Sequence, residues 1–373
     1  MEFKKSIFTS YYEWWKNIDK FIFSLIILLF FIGLFFSLVS TSLIVSDKLD
    51  TNDYSFFFKH LAFIILGIIV IFTLSSIDKE IFLKFSHIIF FISLIFLILV
   101  PIIGIEVKGS RRWIDLNLLP RFQPIELVKP FLIIFVSLIL SSQKYRNIYI
   151  KYLLSFLITL VISFLLAIQP DIGQTLLVFF SWLILVFTSG VNIIFLTILF
   201  LALTFVLSYL IFFVSKFEYI KNRLLSFFDN DIGTHNFQSD KAIDSITSGG
   251  FFGKGIGEGT LKNRVPEAHT DYIISVISEE FGVIAIILIL LLFLIFIYSI
   301  FKKVYFENEE RNKLILVGCI SLILAQVVIH IGVNIRLLPT TGMTLPFISY
   351  GGSSIISVSI LSGIILNLTK RRV

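Results

Sequence analysis

The chain has 373 residues, 57% of them hydrophobic and 15% charged, with a formal net charge of +6 at pH 7 and a mean hydropathy of +0.96. Soluble domains average about 45–50% apolar residues, and here the excess lies in long runs, which excludes an ordinary water-soluble fold. The positive charge is not read as nucleic-acid affinity. Lys and Arg in a membrane protein mostly report topology, and no long basic run interleaved with aromatics occurs.

A bilayer core about 30 Å thick takes roughly 20 apolar residues to cross as a helix, and lipid leaves the backbone of an isolated strand unsatisfied. The runs are too long for barrel strands. They predict an all-α polytopic integral membrane protein, one domain over 1–373, with about ten transmembrane helices. The spans fall near 21–45, 56–77, 81–104, 124–142, 150–168, 173–189, 191–215, 272–301, 313–336 and 346–369. The first run is too long for the apolar core of a signal peptide and shows no small-residue cleavage pattern. Ahead of it, 1–20 carries Tyr11, Tyr12, Trp14 and Trp15 near lysines, the pattern of an interfacial aromatic anchor. The single cysteine, Cys319, leaves no disulfide within the chain.

An even number of spans puts both termini on one side. Lys4, Lys5, Lys16, Lys20, Lys144, Arg146, Lys151, Lys302, Lys303, Arg311, Lys313, Lys370, Arg371 and Arg372 fall there, which predicts cytoplasmic termini. The other side receives a short loop near 105–123 and one long extracytoplasmic loop near 216–271. The short loop carries Lys108, Arg111, Arg112 and Arg121 against the usual charge bias. An anionic partner is expected there, with pairing to Glu106 and Asp115 as the alternative.

Ionisable groups inside spans cost roughly 2.5–3.5 kcal/mol each at mid-helix and default to function. In "KGSRRWIDLNLLPRFQPIELVKP", Glu126 and Lys129 share one helix face and can pair, as a structural ion pair or within a site. Trp113, beside Arg111 and Arg112, can anchor at the interface or face a ligand. In "QPDIGQ", Asp171 either caps the following helix or serves the site. "SGGFFGKGIGEGT" has the glycines of a phosphate loop without the flanking strand and helix a nucleotide fingerprint needs, so a close-approach loop is expected instead. "LLPTTGMTLPFISYGGSS" holds Pro339, Gly342, Pro346, Gly351 and Gly352, which forbid a regular helix over much of it. Such backbone near membrane depth lines a cavity or makes a structural re-entrant turn.

"VPEAHTDYIISVISEE" brings Asp271, Glu279 and Glu280 to the mouth of the eighth span. The two glutamates lie about 12–13 Å deeper than Asp271 along a helix, too far to share a reacting atom with it. At least one is expected to be a buried partner for a cation such as Lys129.

In this order and spacing these stretches resemble the SEDS family (shape, elongation, division and sporulation) over nearly the whole chain. The carrying residues are Gly109-Ser110-Arg111-Arg112-Trp113-Ile114, Gln123-Pro124 with Glu126 and Lys129, Gln169-Pro170-Asp171, and Ser248-Gly249-Gly250. Pro266-Glu267-Ala268-His269-Thr270-Asp271 and Leu345 to Ser354 complete them. "EAHTD" and "TGMTLPFISYGGSS" resemble the cell-division branch more than the elongation branch. Ile125, His330 and Arg336 depart from the family, which usually has Ser, Asn and Gly there.

The resemblance implies a glycan polymerase of the bacterial cytoplasmic membrane that joins lipid II units outside the membrane. Its implied partners are a class B penicillin-binding protein transpeptidase and other divisome membrane proteins. A sugar 4-hydroxyl attacks the anomeric carbon of the lipid-linked donor, and a polyprenyl pyrophosphate leaves. Asp271 matches the family's essential aspartate and is the candidate catalytic base; its alternative role is to bind a divalent cation, Mg²⁺ or Mn²⁺. Lys108, Arg111 and Arg112 are the candidate pyrophosphate contacts. Trp113, Glu126, Lys129, Asp171, His269, Ser349 and Tyr350 complete the substrate-binding set. An elongation polymerase, a lipid flippase or transporter, and a scaffold are the competing readings.

Overall fold

The computed structural model describes residues 11–41, 54–107, 110–115, 120–145, 147–214, 218, 221–222, 225, 227 and 237–370. Lys4, Lys5, Lys108, Arg146, Arg371 and Arg372 lie outside the described residues. Twelve α-helices are found among the described residues: α1 (Tyr11–Asn17), α2 (Lys20–Thr41), α3 (Ser55–Ser76), α4 (Lys79–Ile103), α5 (Pro124–Leu140), α6 (Ile148–Ile168), α7 (Ile172–Thr188), α8 (Ile193–Phe213), α9 (Phe237–Gly249), α10 (Ile273–Phe306), α11 (Glu310–Asn334) and α12 (Gly352–Leu368). Every span predicted from apolar length is a helix. Seven of them, α2, α3, α4, α6, α8, α10 and α11, are long and apolar enough to cross a membrane, and α7 and α12 are shorter apolar helices. Helix α5 is the tenth, and it carries Glu126 and Lys129 buried on its first turns.

The structure departs from the sequence reading at three places. Helix α12 starts at Gly352 rather than near 346, because Pro346, Gly351 and the turn between them keep the chain out of helix. The long loop contains α9 and a 3₁₀ turn, Leu261–Arg264. The short loop is a two-stranded antiparallel hairpin, β1 (Ile105–Val107) and β2 (Ser110–Trp113), pairing Ile105 with Trp113 and Glu106 with Arg111.

Helix α12 packs along α3, α4 along α5, α7 along α11, and α9 along the start of α10. Small residues let α3 and α12 approach closely, as is common between helices in lipid. A Cβ on Gly67 would lie 2.4 Å from Ser359 Oγ, and one on Gly363 would lie 2.9 Å from Leu74 Cβ.

Alternating helices sort the connections to two ends of the bundle. At one end sit α1, the end of α12 and the short links. There Lys79 pairs with Glu309 at 2.8 Å, Arg311 with Glu80 at 2.8 Å, and Lys303 with Asp19. Trp14 is buried at this end and its Nε1–H donates to Ser75 Oγ at 2.8 Å, so it is a packed core residue, while Tyr11, Tyr12 and Trp15 stay exposed like an anchor. The hairpin, the Gln169–Asp171 link, the long loop and the segment between α11 and α12 gather at the opposite end.

Candidate functional site

At that opposite end, Asp171 is buried and ties three connections together. It caps α7 by accepting from Gln174 N at 3.4 Å, and it accepts from Gln123 Nε2 at 3.0 Å. Arg112 Nε lies 3.7 Å from its Oδ2 and donates to Gln169 O at 3.3 Å, while Arg112 Nη2 donates to Pro170 O. Burial pushes the Asp171 carboxyl above its usual range, and the Arg112 charge pulls the other way. Asp171 is therefore both the cap and a member of the polar cluster.

Arg111 and Arg121 follow the pairing alternative. Arg111 stands 3.7 Å from Glu106 across the hairpin, and Arg121 2.9 Å from Asp115, all but Asp115 well exposed. Exposed pairs of this kind are worth about 0–1 kcal/mol, so both guanidiniums can exchange a carboxylate for a phosphate cheaply. Trp113 is half-buried opposite Ile105.

One turn below the mouth, Lys129 Nζ lies 2.9 Å from both carboxylate oxygens of Glu126. Gln174 Nε2 donates to Glu126 Oε1 at 2.9 Å. Asp171, Gln174, Glu126 and Lys129 thus form a continuous polar file between α5 and α7. The spacing of Glu126 and Lys129 announced the pair; Gln174 joins through a tertiary contact and had no separate signal.

The non-helical segment from Ile335 to Gly351 lies between this file and Asp271. On one side, a Cβ on Gly173 would lie 2.8 Å from Thr341 Cβ. On the other, Gly342 has φ 65°, and a Cβ there would lie 3.4 Å from Asp271 Oδ2. His330 Nδ1 donates to Met343 O at 2.7 Å, Gln326 Nε2 to Thr344 O at 2.9 Å, and Thr344 Oγ1 to Ser354 Oγ at 2.7 Å. Gln123 N donates to Ser353 Oγ at 3.0 Å, so the segment's end is fastened to the start of α5.

Asp271 is half-buried on the turn before α10. Its N–H donates to Glu267 O at 3.1 Å and its carbonyl accepts from Asn334 Nδ2 at 3.1 Å, which fixes the backbone beneath the carboxylate. Tyr350 N donates to His269 O at 3.1 Å, and the two rings are 6.2 Å apart. Phe56, on α3, stands 4.8 Å from the His269 ring, and His60 stands 5.8 Å from that of Tyr350. Neither Phe56 nor His60 was legible as part of this group. Ser349 is buried and accepts from Leu345 N at 2.9 Å, so its hydroxyl holds its own turn and is not open to a substrate. Glu126 and Lys129 are likewise enclosed, in the geometry of a structural pair.

Glu279 and Glu280 are both buried partners of cations, as expected of at least one, but the cations are Lys254 and Lys262 rather than Lys129. Lys129 is satisfied one turn away by Glu126, and the glycine-rich loop folds back over α10 with lysines of its own. Glu279 accepts from Ser245 Oγ at 2.9 Å, Leu261 N at 2.8 Å, Lys262 N at 2.6 Å and Lys254 Nζ at 3.4 Å. Glu280 pairs with Lys262 Nζ and accepts from Gly257 N. Buried carboxylates are tolerated when paired and hydrogen-bonded in this way.

Among the described residues no three His, Cys, Asp or Glu side chains converge as a metal-ligand set. Asp271 offers a single carboxylate. That fits Mg²⁺, which is usually held by one or two carboxylates with substrate phosphates and water, and does not fit an all-protein cage.

The family described as cell cycle proteins of the FtsW, RodA and SpoVE type matches residues 19–373. A relative from Caulobacter vibrioides, named a probable peptidoglycan glycosyltransferase FtsW, is 30% identical over 96% of this chain and 91% of its own. One of the same name from Haemophilus influenzae is 32% identical over 99% and 96%. A solved chain from work on coordinated polymerisation and crosslinking by a peptidoglycan synthase complex superposes with a TM-score of 0.78 at 25% identity, covering 94% of this chain and 97% of that one. Thermus thermophilus RodA, a rod shape determining protein, gives a TM-score of 0.70 at 25% identity over 95% and 97%. The chain is a multi-pass membrane protein belonging to the FtsW, RodA and SpoVE family of cell cycle proteins, the SEDS family its motifs resemble.

Proposed function

We propose that this chain is a peptidoglycan glycosyltransferase that polymerises lipid II on the outer side of the cytoplasmic membrane during cell division. Its relatives are named probable peptidoglycan glycosyltransferase FtsW, which supports the reading. The observation that carries the reading is the placement of Asp271 on one flank of the Gly342 segment, with the Asp171–Arg112 cluster on the other. In this reading the termini are cytoplasmic and the Asp271 end faces outward, an orientation that the lysines and arginines of the short links support.

In this reading the Asp271 carboxylate takes the proton from the attacking sugar 4-hydroxyl; a positioned base typically contributes 10²–10⁴-fold. Arg111, Arg112 and Lys108 hold the departing diphosphate through charge-assisted hydrogen bonds. His269, Tyr350 and Trp113 supply ring faces for the sugar. In its alternative role the Asp271 carboxylate would instead hold Mg²⁺ or Mn²⁺, which would supply positive charge against the leaving group. A class B penicillin-binding protein supplies the transpeptidase, within a set of divisome membrane proteins. The neighbouring structure, in which polymerisation and crosslinking are coordinated by one complex, supports that partnership.

The test is purified protein with labelled lipid II, with and without the transpeptidase. Polymer is expected from the wild type. Asp271→Ala should lose at least about 100-fold in rate while keeping its unfolding temperature and partner binding. Full activity of that variant overturns the assignment of Asp271, and lipid movement across vesicles without polymer supports the flippase.

A further inference from the structure

Helix α10 runs for 34 residues, about 51 Å at 1.5 Å per residue and well beyond a hydrocarbon core of about 30 Å. It breaks at Gly282, whose φ of 78° and ψ of 179° are essentially reserved to glycine. Lys302 lies 20 residues further on, about 30 Å along the helix. The stretch between them therefore matches the core by itself. Exposed Tyr298, Tyr305 and Phe306 surround Lys302 and Lys303, the composition of a membrane interface. Gly282 then stands at the opposite interface, and Ile273–Phe281 projects past the hydrocarbon toward Asp271.

A break strips backbone groups of their helical partners, which lipid cannot replace. The glycine-rich loop replaces them. Lys254 N donates to Glu279 O at 2.8 Å and Gly255 N to Glu280 O at 3.0 Å. In return, Val283 N donates to Gly250 O at 3.0 Å and Ile284 N to Phe251 O at 3.3 Å. A Cβ on Gly253 would lie 2.2 Å from Glu280 O, and one on Gly249 would lie 1.9 Å from Ser278 O. The loop is thus built into the helix at interface depth.

Its outward edge is apolar. Phe251, Phe252 and Ile256 are 74%, 83% and 59% exposed, while Lys254 and Lys262 turn to Glu279 and Glu280. A loop facing water would do the reverse. We propose that Phe251, Phe252 and Ile256 insert into the leaflet on the Asp271 side. Through the backbone ladder at Gly282, this lipid anchor sets the height of the projecting half of α10 and of Asp271 at its tip. The occupant is the lipid surface, because the loop's depth puts these side chains in the headgroup–acyl boundary. Anchoring rests on this geometry alone; its effect on rate rests on the polymerase reading.

The test uses the full chain in phosphatidylethanolamine–phosphatidylglycerol vesicles. A nitroxide is placed on Phe252→Cys, Ile256→Cys or, as a water-facing control, Glu258→Cys. Cys319 is buried, so the introduced thiol is the one a water-soluble label reaches. Collision with dissolved oxygen against a water-soluble nickel chelate should place the first two labels roughly 5–10 Å into the boundary and the control in water. Water-like exposure at 252 and 256 overturns the anchor. So does protection that appears only when the transpeptidase is added, which would make the patch a protein contact. The double variant Phe251→Ser/Phe252→Ser should slow polymerisation by about 10-fold or more, since small misplacements of reacting groups are costly. Wild-type rate in that variant overturns the height-setting role, whatever the labels report.

Discussion

Glu126 and Lys129 sit deep enough that their charges must be judged together. Removing one partner of a buried pair strands the other, at about 3–5 kcal/mol, whereas replacing both by groups of similar volume is often neutral. Lys129→Met strips the Glu126 carboxylate of its cation and leaves it the hydrogen bond from Gln174, and should lower the unfolding temperature sharply. The double variant Glu126→Gln/Lys129→Met should recover most of that loss, followed by tryptophan fluorescence on heating in detergent. It should also keep its polymerisation rate, because the pair is enclosed and does not face the mouth. A folded double variant without activity would return both residues to the substrate-binding set.

The element that decides the placement of Asp271 is the broken α10, and its glycines can be ranked. Gly282→Ala meets a forbidden backbone region, worth about 1–3 kcal/mol, and puts a Cβ 2.2 Å from Phe251 O. Gly250 has φ 58° and open space around its Cβ direction, so Gly250→Ala should cost only about 1–2 kcal/mol. Unfolding midpoints of the two variants should differ in that order, and equal midpoints would mean that the ladder at the break is not holding. None of this break was legible beforehand. Apolar length alone revealed every span, because lipid thickness acts locally on the chain, and the three-residue spacing of Glu126 and Lys129 is equally local. The bonds around Gly282 join residues 25 or 33 positions apart, and the sequence there reads only as glycine-rich. Helix α9 hid for a related reason. Its buried face is made of Ser239, Ala242, Ser245 and Gly249, which pack closely on α10 without forming an apolar stripe.

At the scale of the whole molecule, α10 is held at both ends by different chemistry. The loop ladder fastens the end near Asp271. Asp19, just ahead of α2, fastens the other through Lys303. Burial would raise the Asp19 carboxyl, but the Lys303 side chain and the N–H groups of Ile22 and Phe21 outweigh it and hold the group below its usual 3.8. A depressed carboxyl contributes stability that is present above 3.8 and is lost as pH falls through the folded-state value. Asp19→Asn should therefore unfold at a lower temperature than the wild type at pH 7. The gap between them should close as the pH drops below 3.8, in thermal scans of the purified protein. Polymerisation at neutral pH should be nearly unchanged, because the substitution lies at the far end of the bundle from Asp271 and the glycine loop sets that height independently. If Asp19→Asn instead slowed polymerisation at an unchanged unfolding temperature, α10 would have to transmit position along its full length, and Gly282 would be a rigid joint rather than a pivot fixed by the membrane.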